Sequence, residues 1–491
     1  MLGYHYPHAT AHYQQAVELD PMDWVALEGL ARCAGEQGDH VSAIAWQEKA
    51  IDALPENLHW ISGFLWPRIS DWAGQLGDTE TAFKSAIEGF RANVRCTLAE
   101  TTYITLLDQR GRSVELVECL RKLAATDVPG ASYNALVRLF VRNEDVFEAI
   151  GRACAKEGRP EFVLEALKEA MDIVDGGDRE EVKIVLPYKA GRFKYTFYGL
   201  EQAATTLLES FLKRLAQKNE SVQRVHAVAR KDARNLLAQL YFDAAVSEWK
   251  SVPTRDSRPA SADKLKQLAV GVSTGFGDDY EGFDLFRTDY PAMLWGRWLR
   301  DYKGVEGGKW RKCFRARLLE EMNTVDDDDP TNDTLGISSL AISLFHAGDR
   351  ANAAAIMAIL FRAGTTKSPQ TTDMNPEAAE KTNGLKLNIS QTESMSHACS
   401  NCQKGLEEVS ELHICEVCPG QVSWCVECLA LLRAPEERKA APYLHRCNPF
   451  HDFYRAWPIP PEALHVAAQS FENGVTVRME WLEELRRQWW A

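Results

Sequence analysis

ATAHYQQAVELDPMDWVALEGLARCAGEQGDHVSAIAWQEKAIDALP, residues 9–55, is the stretch that decides the fold. Three of its positions recur at an interval of thirty-four: Ala9 with Ala43, Ala16 with Ala50, and Pro21 with Pro55. Between them Trp24, Leu27, Leu30 and Ala31 recur at helical spacing, and Gly38-Asp39 marks a helix-to-helix turn. Small residues stand where two helices cross closely, and a proline follows the second helix. A helix pair of this size cannot bury its apolar stripe alone. Stacked pairs build a continuous core.

Outward from this stretch the signature fades and returns. Gly77-Asp78 with Ala82 comes thirty-nine residues on, weaker echoes fall at Gly111 and at Gly158 with Ala166 and Ala170, and Gly348-Asp349 with Ala353 repeats it clearly. The last follows an apolar helix over Leu335–Leu344. Leu200–Leu215 and Val222–Trp249 keep helical periodicity without the spacing and predict longer hairpins. No alternating strand pattern longer than a few residues precedes residue 400. The expected fold class is all-α: a helical-repeat solenoid followed by a small cross-brace module and a C-terminal helix.

Composition shifts divide the chain. Residues 1–250 are expected to be helical repeats, 251–264 an exposed loop, and 265–364 further repeats, with an irregular Gly- and aromatic-rich connection over Gly271–Pro291. A polar linker, 365–396, precedes a cysteine module, 397–456, and a C-terminal helical segment, 457–491. The sequence starts within what would be the second helix of a repeat, which calls for an unusual cap or a longer parent architecture.

The 491 residues carry a net charge of -14, which argues against nucleic acid or an anionic membrane as a general partner. The first residues lack the basic flank and apolar run of a signal peptide, and no segment approaches the ~18 apolar residues of a membrane span. The chain is expected in the cytoplasm, with the nucleus open. Five of the twelve cysteines (Cys33, Cys96, Cys119, Cys154 and Cys313) are scattered singly, while seven crowd between Cys399 and Cys447. In a reducing compartment such a cluster points to metal rather than to disulfides.

From Cys399 the order is C-S-N-C, twelve residues, C-E-V-C, six residues, C-V-E-C, then sixteen residues to H-R-C-N-P-F-H. Each C-x2-C turn sets two thiolates at the separation tetrahedral Zn²⁺ requires. Alternating pairs interleave as a cross-brace. Cys399, Cys402, Cys425 and Cys428 are then expected to hold one Zn²⁺ ion, and Cys415, Cys418, Cys447 and His451 a second. Both sites are closed, hence structural. His445 competes with Cys447 as a ligand, and His397 and His413 stand nearby. Some fifty residues this poor in aliphatic side chains need the ~10–16 kcal/mol that structural zinc supplies in small finger peptides.

The repeat interval is the tetratricopeptide spacing, and the ligand order resembles a ZZ-type zinc finger over about a tenth of the chain, with a MYND finger as runner-up. More broadly the sequence resembles fungal tetratricopeptide-repeat proteins with a C-terminal finger. Asp329-Pro330-Thr331-Asn332-Asp333 ahead of a Gly-Asp repeat, and Cys447–Phe453 followed by Pro458, carry that likeness. It implies an interaction or sensing role. ZZ-like modules recognise peptide N-termini or modifier proteins through acidic residues near the zinc, and Glu411, Glu416 and Glu427 are the candidates here. The Lys/Asn clamp with which one tetratricopeptide subclass grips carboxylates is replaced by Glu28 and Arg32.

Other motifs fail. Gly307-Gly308-Lys309 lacks the earlier glycine and the following Ser/Thr of a phosphate loop. Asp326–Asp329 lacks the Gly and Glu of a calcium loop. His5, His8 and His12 belong to a terminal segment where exposed histidines are common. In the last helix, Val475–Trp490, the stripe Val477, Trp481, Leu485 and Trp489 either docks on the chain or takes a partner. No catalytic motif emerges. The leading expectation is a non-enzymatic scaffold for protein or peptide partners. The alternative is a RING-like zinc-dependent ubiquitin ligase or an adaptor of one, whose last ligand pair should be C-x2-C.

Overall fold

The glycine-acid pairs each end one helix and start the next. At Gly38 and Gly77 φ is 79° and 77°, the left-handed region where a side chain is strained. The residue after each glycine donates its N–H to the carbonyl five residues back, Asp39 to Ala34 and Asp78 to Ala73, both at 2.9 Å. The same acids then accept from the next helix, Asp39 from the Ser42 N–H at 3.1 Å and Asp78 from the Thr81 N–H at 3.0 Å. Those bonds hold both carboxyls below their usual pKa. Asp349 repeats the backbone bond to Leu344 at 2.9 Å. At Gly111 and Gly158 the backbone turn survives, but the next residue is Arg112 or Arg159, and the helix after Arg112 opens with no side-chain cap. That lost acid is why those echoes are weak in sequence.

The computed structural model describes residues 6–126, 133–143, 145–159, 161–174, 180–251, 259–270, 290–303, 309–325, 333–365, 384–386, 399–400, 402, 404, 408–418, 423–434, 447–448, 451–457, 471–472 and 476–490. They form two compact units, Met1–Phe193 and Lys194–Ala491. Helical repeats make up the first unit and most of the second.

In the first unit the helices are α1 (Tyr6–Leu19), α2 (Trp24–Glu36), α3 (His40–Asp52), α4 (Ser62–Gln75), α5 (Thr79–Ala92), α6 (Thr97–Gln109), α7 (Ser113–Ala124), α8 (Ala135–Arg142), α9 (Asp145–Lys156), α10 (Glu161–Val174) and α11 (Glu180–Tyr198). Consecutive helices pair, α2 with α3 and α4 with α5. Small residues let them approach: Ala31 and Ala43 are fully buried against Trp72. Beyond α6 the order interleaves, with α9 packing on both α6 and α7. There the core is aromatic: Phe140, Phe147 and Phe193 meet with ring centroids 5.2–5.9 Å apart. Rings of this volume fill space that alanines leave closed, so the tight spacing is lost.

Polar contacts tie helices that are not sequence neighbours within the same unit. Glu28 pairs with Arg68, Arg152 with Asp108 at 2.5 Å, and Arg192 with Glu148 at 3.6 Å. Glu28 is thus committed to an inter-helix pair, while Arg32 is mostly exposed. Deeper in, Glu100 is fully buried and pairs with Arg138, and its second carboxylate oxygen has no hydrogen-bond partner. Burial, only partly opposed by Arg138, pushes its carboxyl up to about 7 from 4.5. A raised folded-state pKa favours the fold below 4.5 and loses that contribution as pH rises through 7. Glu100→Gln should therefore gain on the parent by about 1.4 kcal/mol for each pH unit crossed in that window. Urea titrations of both full-length proteins at pH 5, 6 and 7 test this; a gap that ignores pH refutes it.

The second unit begins at the end of α11 and continues through α12 (Glu201–Ala216), α13 (Glu220–Val225), α14 (Ala227–Ser251), α15 (Ala260–Val270), α16 (Tyr290–Asp301), α17 (Lys312–Val325), α18 (Asp333–Ala347) and α19 (Arg350–Thr365). α15 starts inside the stretch expected as an exposed loop, because Pro259 offers its carbonyl to the Ala262 N–H at 3.0 Å and Ala262 and Leu265 are buried. Strands β1 (Gly384–Lys386), β2 (Leu412–Cys415) and β3 (Ser423–Cys425), helix α20 (Val426–Arg433), strands β4 (Phe453–Trp457), β5 (Phe471–Glu472) and β6 (Thr476–Arg478), and helix α21 (Met479–Trp490) follow. Two antiparallel sheets result, β3-β2-β4 and β1-β6-β5. β1 lies within the expected linker, and Val477 belongs to β6 rather than to the last helix.

That last helix docks. Leu482, Leu485 and Trp489 are buried, Arg315 donates to the Trp489 carbonyl at 2.7 Å, and the Trp481 indole donates to Asn352 at 3.0 Å. The indole of Trp489 lies 6.1 Å from that of Trp310. Among the described residues no helix is long and apolar enough to cross a membrane.

Candidate metal centre

The C-x2-C turns have the local geometry that makes thiolates good ligands. At the end of β2 the Cys415 sulfur accepts the N–H groups of Val417 and Cys418, each at 3.3 Å. Cys425 caps α20, its sulfur accepting the Cys428 N–H at 3.5 Å, where the helix dipole favours negative charge. Ser400 holds the first turn against β3, its N–H reaching the Ser423 carbonyl at 2.7 Å and its hydroxyl accepting the Ser423 N–H at 3.0 Å.

These turns bring the eight predicted residues into two groups, Cys399, Cys402, Cys425 and Cys428, and Cys415, Cys418, Cys447 and His451. Within each group all ligand atoms lie within 4.8 Å of one another, so each could hold a metal ion. The grouping interleaves along the chain as a cross-brace requires. In the second group His451 Nδ1 stands 3.4 Å, 3.6 Å and 3.5 Å from the sulfurs of Cys415, Cys418 and Cys447. A tetrahedral ion with sulfur at ~2.3 Å and nitrogen at ~2.0–2.1 Å has S···N edges of ~3.6 Å and S···S edges of ~3.8 Å. The Cys402–Cys425 sulfur separation in the first group is 3.8 Å. The donor sets fit a four-coordinate thiophilic cation.

The groups differ in setting. All four members of the second are buried, whereas Cys402 of the first is exposed, alone among the chain's cysteines. Helices surround the second group. His451 Nε2 lies 2.8 Å from Asp243 Oδ1 on α14, and Gln239, one turn earlier, donates to the Cys418 sulfur at 3.5 Å and to the Tyr195 hydroxyl at 3.1 Å. Tyr290 on α16 donates to the Val417 carbonyl. Arg297, also on α16, forks to the Glu416 carbonyl at 2.8 Å and to Asp452 at 2.6 Å. Arg350 on α19 pairs with Glu416 at 2.9 Å.

Charge in the second group is unevenly held. Burial raises the Cys415 thiol, but the neighbouring Cys418 and Cys447 thiols and the His451 imidazole outweigh it and draw the group well below its usual pKa. Hydrogen bonding with the ionised Cys415 pushes Cys418 well up, and burial raises Cys447 to about 12. Burial opposes a charged His451, yet Asp243 and Cys415 hold its pKa well above the ordinary value. All three cysteines could ionise this close together only around a cation. Burial pushes His346, on α18, down to about 3, so it is neutral at pH 7.

His413 stays outside both groups, 3.1 Å from Glu411. His397 and His445 lie outside the described residues, as do His5, Gly307-Gly308 and Asp326–Asp329. The acidic surface expected near the metal shrinks, because Glu416 is buried under Arg350; Glu427 is exposed and pairs with Lys404 at 3.4 Å. Asp243, Gln239, Tyr290 and Arg297 escaped sequence reasoning. One signal was present: Gln239 and Asp243 interrupt the apolar face of α14, where Leu237, Ala238, Leu240, Tyr241 and Phe242 are buried.

No known family profile matches the sequence, and no curated protein matches it. Solved structures give distant likenesses. An IFIT1 monomeric mutant with Gppp-AAAA is 15% identical, covering 72% of this chain and 66% of that one, with a TM-score of 0.22. The human IFIT1 dimer with m7Gppp-AAAA is 13% identical, over 74% and 68%, with a TM-score of 0.20. The P58(IPK) TPR domain is 15% identical, over 68% and 87%, with a TM-score of 0.17. This chain spans just under two thirds of the first of these. Likeness at this level assigns it no ligand and no partner.

Proposed function

We propose that this chain is a non-enzymatic scaffold for protein or peptide partners, whose C-terminal module is closed by two structural Zn²⁺ ions. Cys399, Cys402, Cys425 and Cys428 hold one; Cys415, Cys418, Cys447 and His451 hold the other. The single observation that carries the metal reading is the near-equal approach of His451 Nδ1 to three sulfurs, at 3.4–3.6 Å. Both groups already supply four protein donors, so zinc here folds a surface instead of activating water. The helical repeats of the first unit supply the partner-binding face, because stacked helix pairs present long surfaces that accept a helix or an extended peptide. Thiolate sites of this kind belong to a reducing compartment, the cytoplasm or the nucleus.

Full-length protein purified without chelator should contain about two zinc ions by elemental analysis, as two closed four-donor sites require. Protein free of zinc would sink the metal reading. Affinity capture with the full chain, against a Val41→Glu, Val114→Glu variant altered only at exposed apolar residues of the first unit, tests the scaffold. Partners should be lost with the variant. Sustained ubiquitin transfer by the chain with conjugating enzymes would replace the scaffold reading with the ligase one.

A further inference from the structure

We infer that the ion of the second group is a latch on the helices of its own unit, with Asp243 and Gln239 as positioning residues for its ligands. This rests on the metal reading above. The ligands come from residues 415–451, yet their outer contacts come from α14, about two hundred positions earlier in the chain.

The chemistry runs through His451. An imidazole that gives Nδ1 to a metal must carry its proton on Nε2, and that N–H needs an acceptor when buried. Asp243 Oδ1 stands 2.8 Å from Nε2, with both side chains under a tenth exposed. The carboxylate therefore fixes the ring's tautomer and its rotation. One turn away on the same face, Gln239 directs its amide to the Cys418 sulfur at 3.5 Å. An N–H donor there spreads thiolate charge that burial would otherwise penalise. Tyr195, beside Gln239, extends the chain of contacts to the end of α11.

The first group is built differently. Cys425 caps its own helix α20, Ser400 meets Ser423 within the module, and Cys402 is exposed. The second ion is held by module and helices together. Binding of the second ion and packing of α14 are then thermodynamically linked: whatever aligns α14 raises the ion's affinity, and loss of the ion frees α14 by the same factor. The state of the metal is thus passed to the helices.

The test uses the full-length protein with Zn²⁺ in competition with a chromophoric chelator, and Co²⁺ as a spectroscopic probe of thiolate and imidazole ligation. Asp243→Ala should weaken one of the two ions by about 10- to 100-fold and leave the other at parent affinity. Its Co²⁺ spectrum should change for that one site. Asp243→Asn keeps an oxygen facing Nε2 and should recover much of the loss, which also covers the case in which the alanine variant fails to fold. In the parent, amides of residues 233–245 should lose hydrogen-exchange protection when the chelator removes the second ion. Two tightly held ions in both Asp243 variants would overturn the inference, and so would protection of 233–245 that ignores zinc. A parent that binds no zinc overturns the metal reading itself, so the two failures are distinguishable.

Discussion

Cys447→Ser is expected to remove one zinc ion from a parent that carries two and to destabilise the second unit by at least ~4 kcal/mol, the linkage value when free metal stands a thousandfold above its dissociation constant. A serine hydroxyl is a far weaker ligand than a thiolate. The remaining Cys415, Cys418 and His451 stay buried with an incomplete shell. Removing the ion also removes the cation that lets neighbouring thiolates coexist, so the group must reprotonate inside the protein. Cys399→Ser should remove the other ion and leave this one in place. His445→Ala should keep both if Cys447, whose sulfur lies with the other three ligand atoms, is the fourth ligand. Metal analysis and urea unfolding of the three variants check this. Retention of two ions by Cys447→Ser, with loss from His445→Ala, would give the fourth ligand position to the histidine.

Arg297→Met should cost about 3 kcal/mol, the lower end of the range for deleting one partner of a buried ion pair. The guanidinium is about 5% exposed and bonds at once to the Glu416 carbonyl, to Asp452 at 2.6 Å, and to Asp301 at 3.4 Å. Met can fill much of the volume. It leaves a buried carbonyl without its donor and Asp452 without this countercharge, though the 60% exposure of Asp452 restores some hydration and Asp301 keeps Arg300 at 2.6 Å, which holds the loss at the low end. Lysine should recover only part, since one ammonium cannot fork to a carbonyl and a carboxylate. Denaturant unfolding measures the loss. Hydrogen exchange at residues 412–418 should quicken if the module loosens from the helices. An unchanged midpoint for Arg297→Met would show that α16 does not fasten the module.

The repeats and the metal groups were legible because their information is local. A left-handed glycine followed by a capping acid occupies two residues, and a C-x2-C turn occupies four. Both leave a mark wherever they occur, as at Gly38-Asp39 and Cys415–Cys418. The helices beyond α6 kept periodicity and lost spacing, because Phe140, Phe147 and Phe193 set the distances there rather than alanines. The pairing of β4 with β2 left no usable alternation, since β4 is five residues long and flanks a ligand turn. Asp243 and Arg297 were legible only as anomalies, an acid and a base on apolar helix faces. Nothing in spacing says which of a hundred distant groups such a residue meets. Packing decides that.

Cys402 is the one exposed thiol of twelve; the other eleven are buried. Alkylating agents and peroxide react with accessible sulfur first, so damage to this protein has a starting point and an order. A modified Cys402 would abolish the outer ion while the inner cluster, sealed by helices, stayed intact. Mass spectrometry of a partly labelled sample should then find one dominant adduct. The population would pass through a half-metallated form before any loss of the buried site.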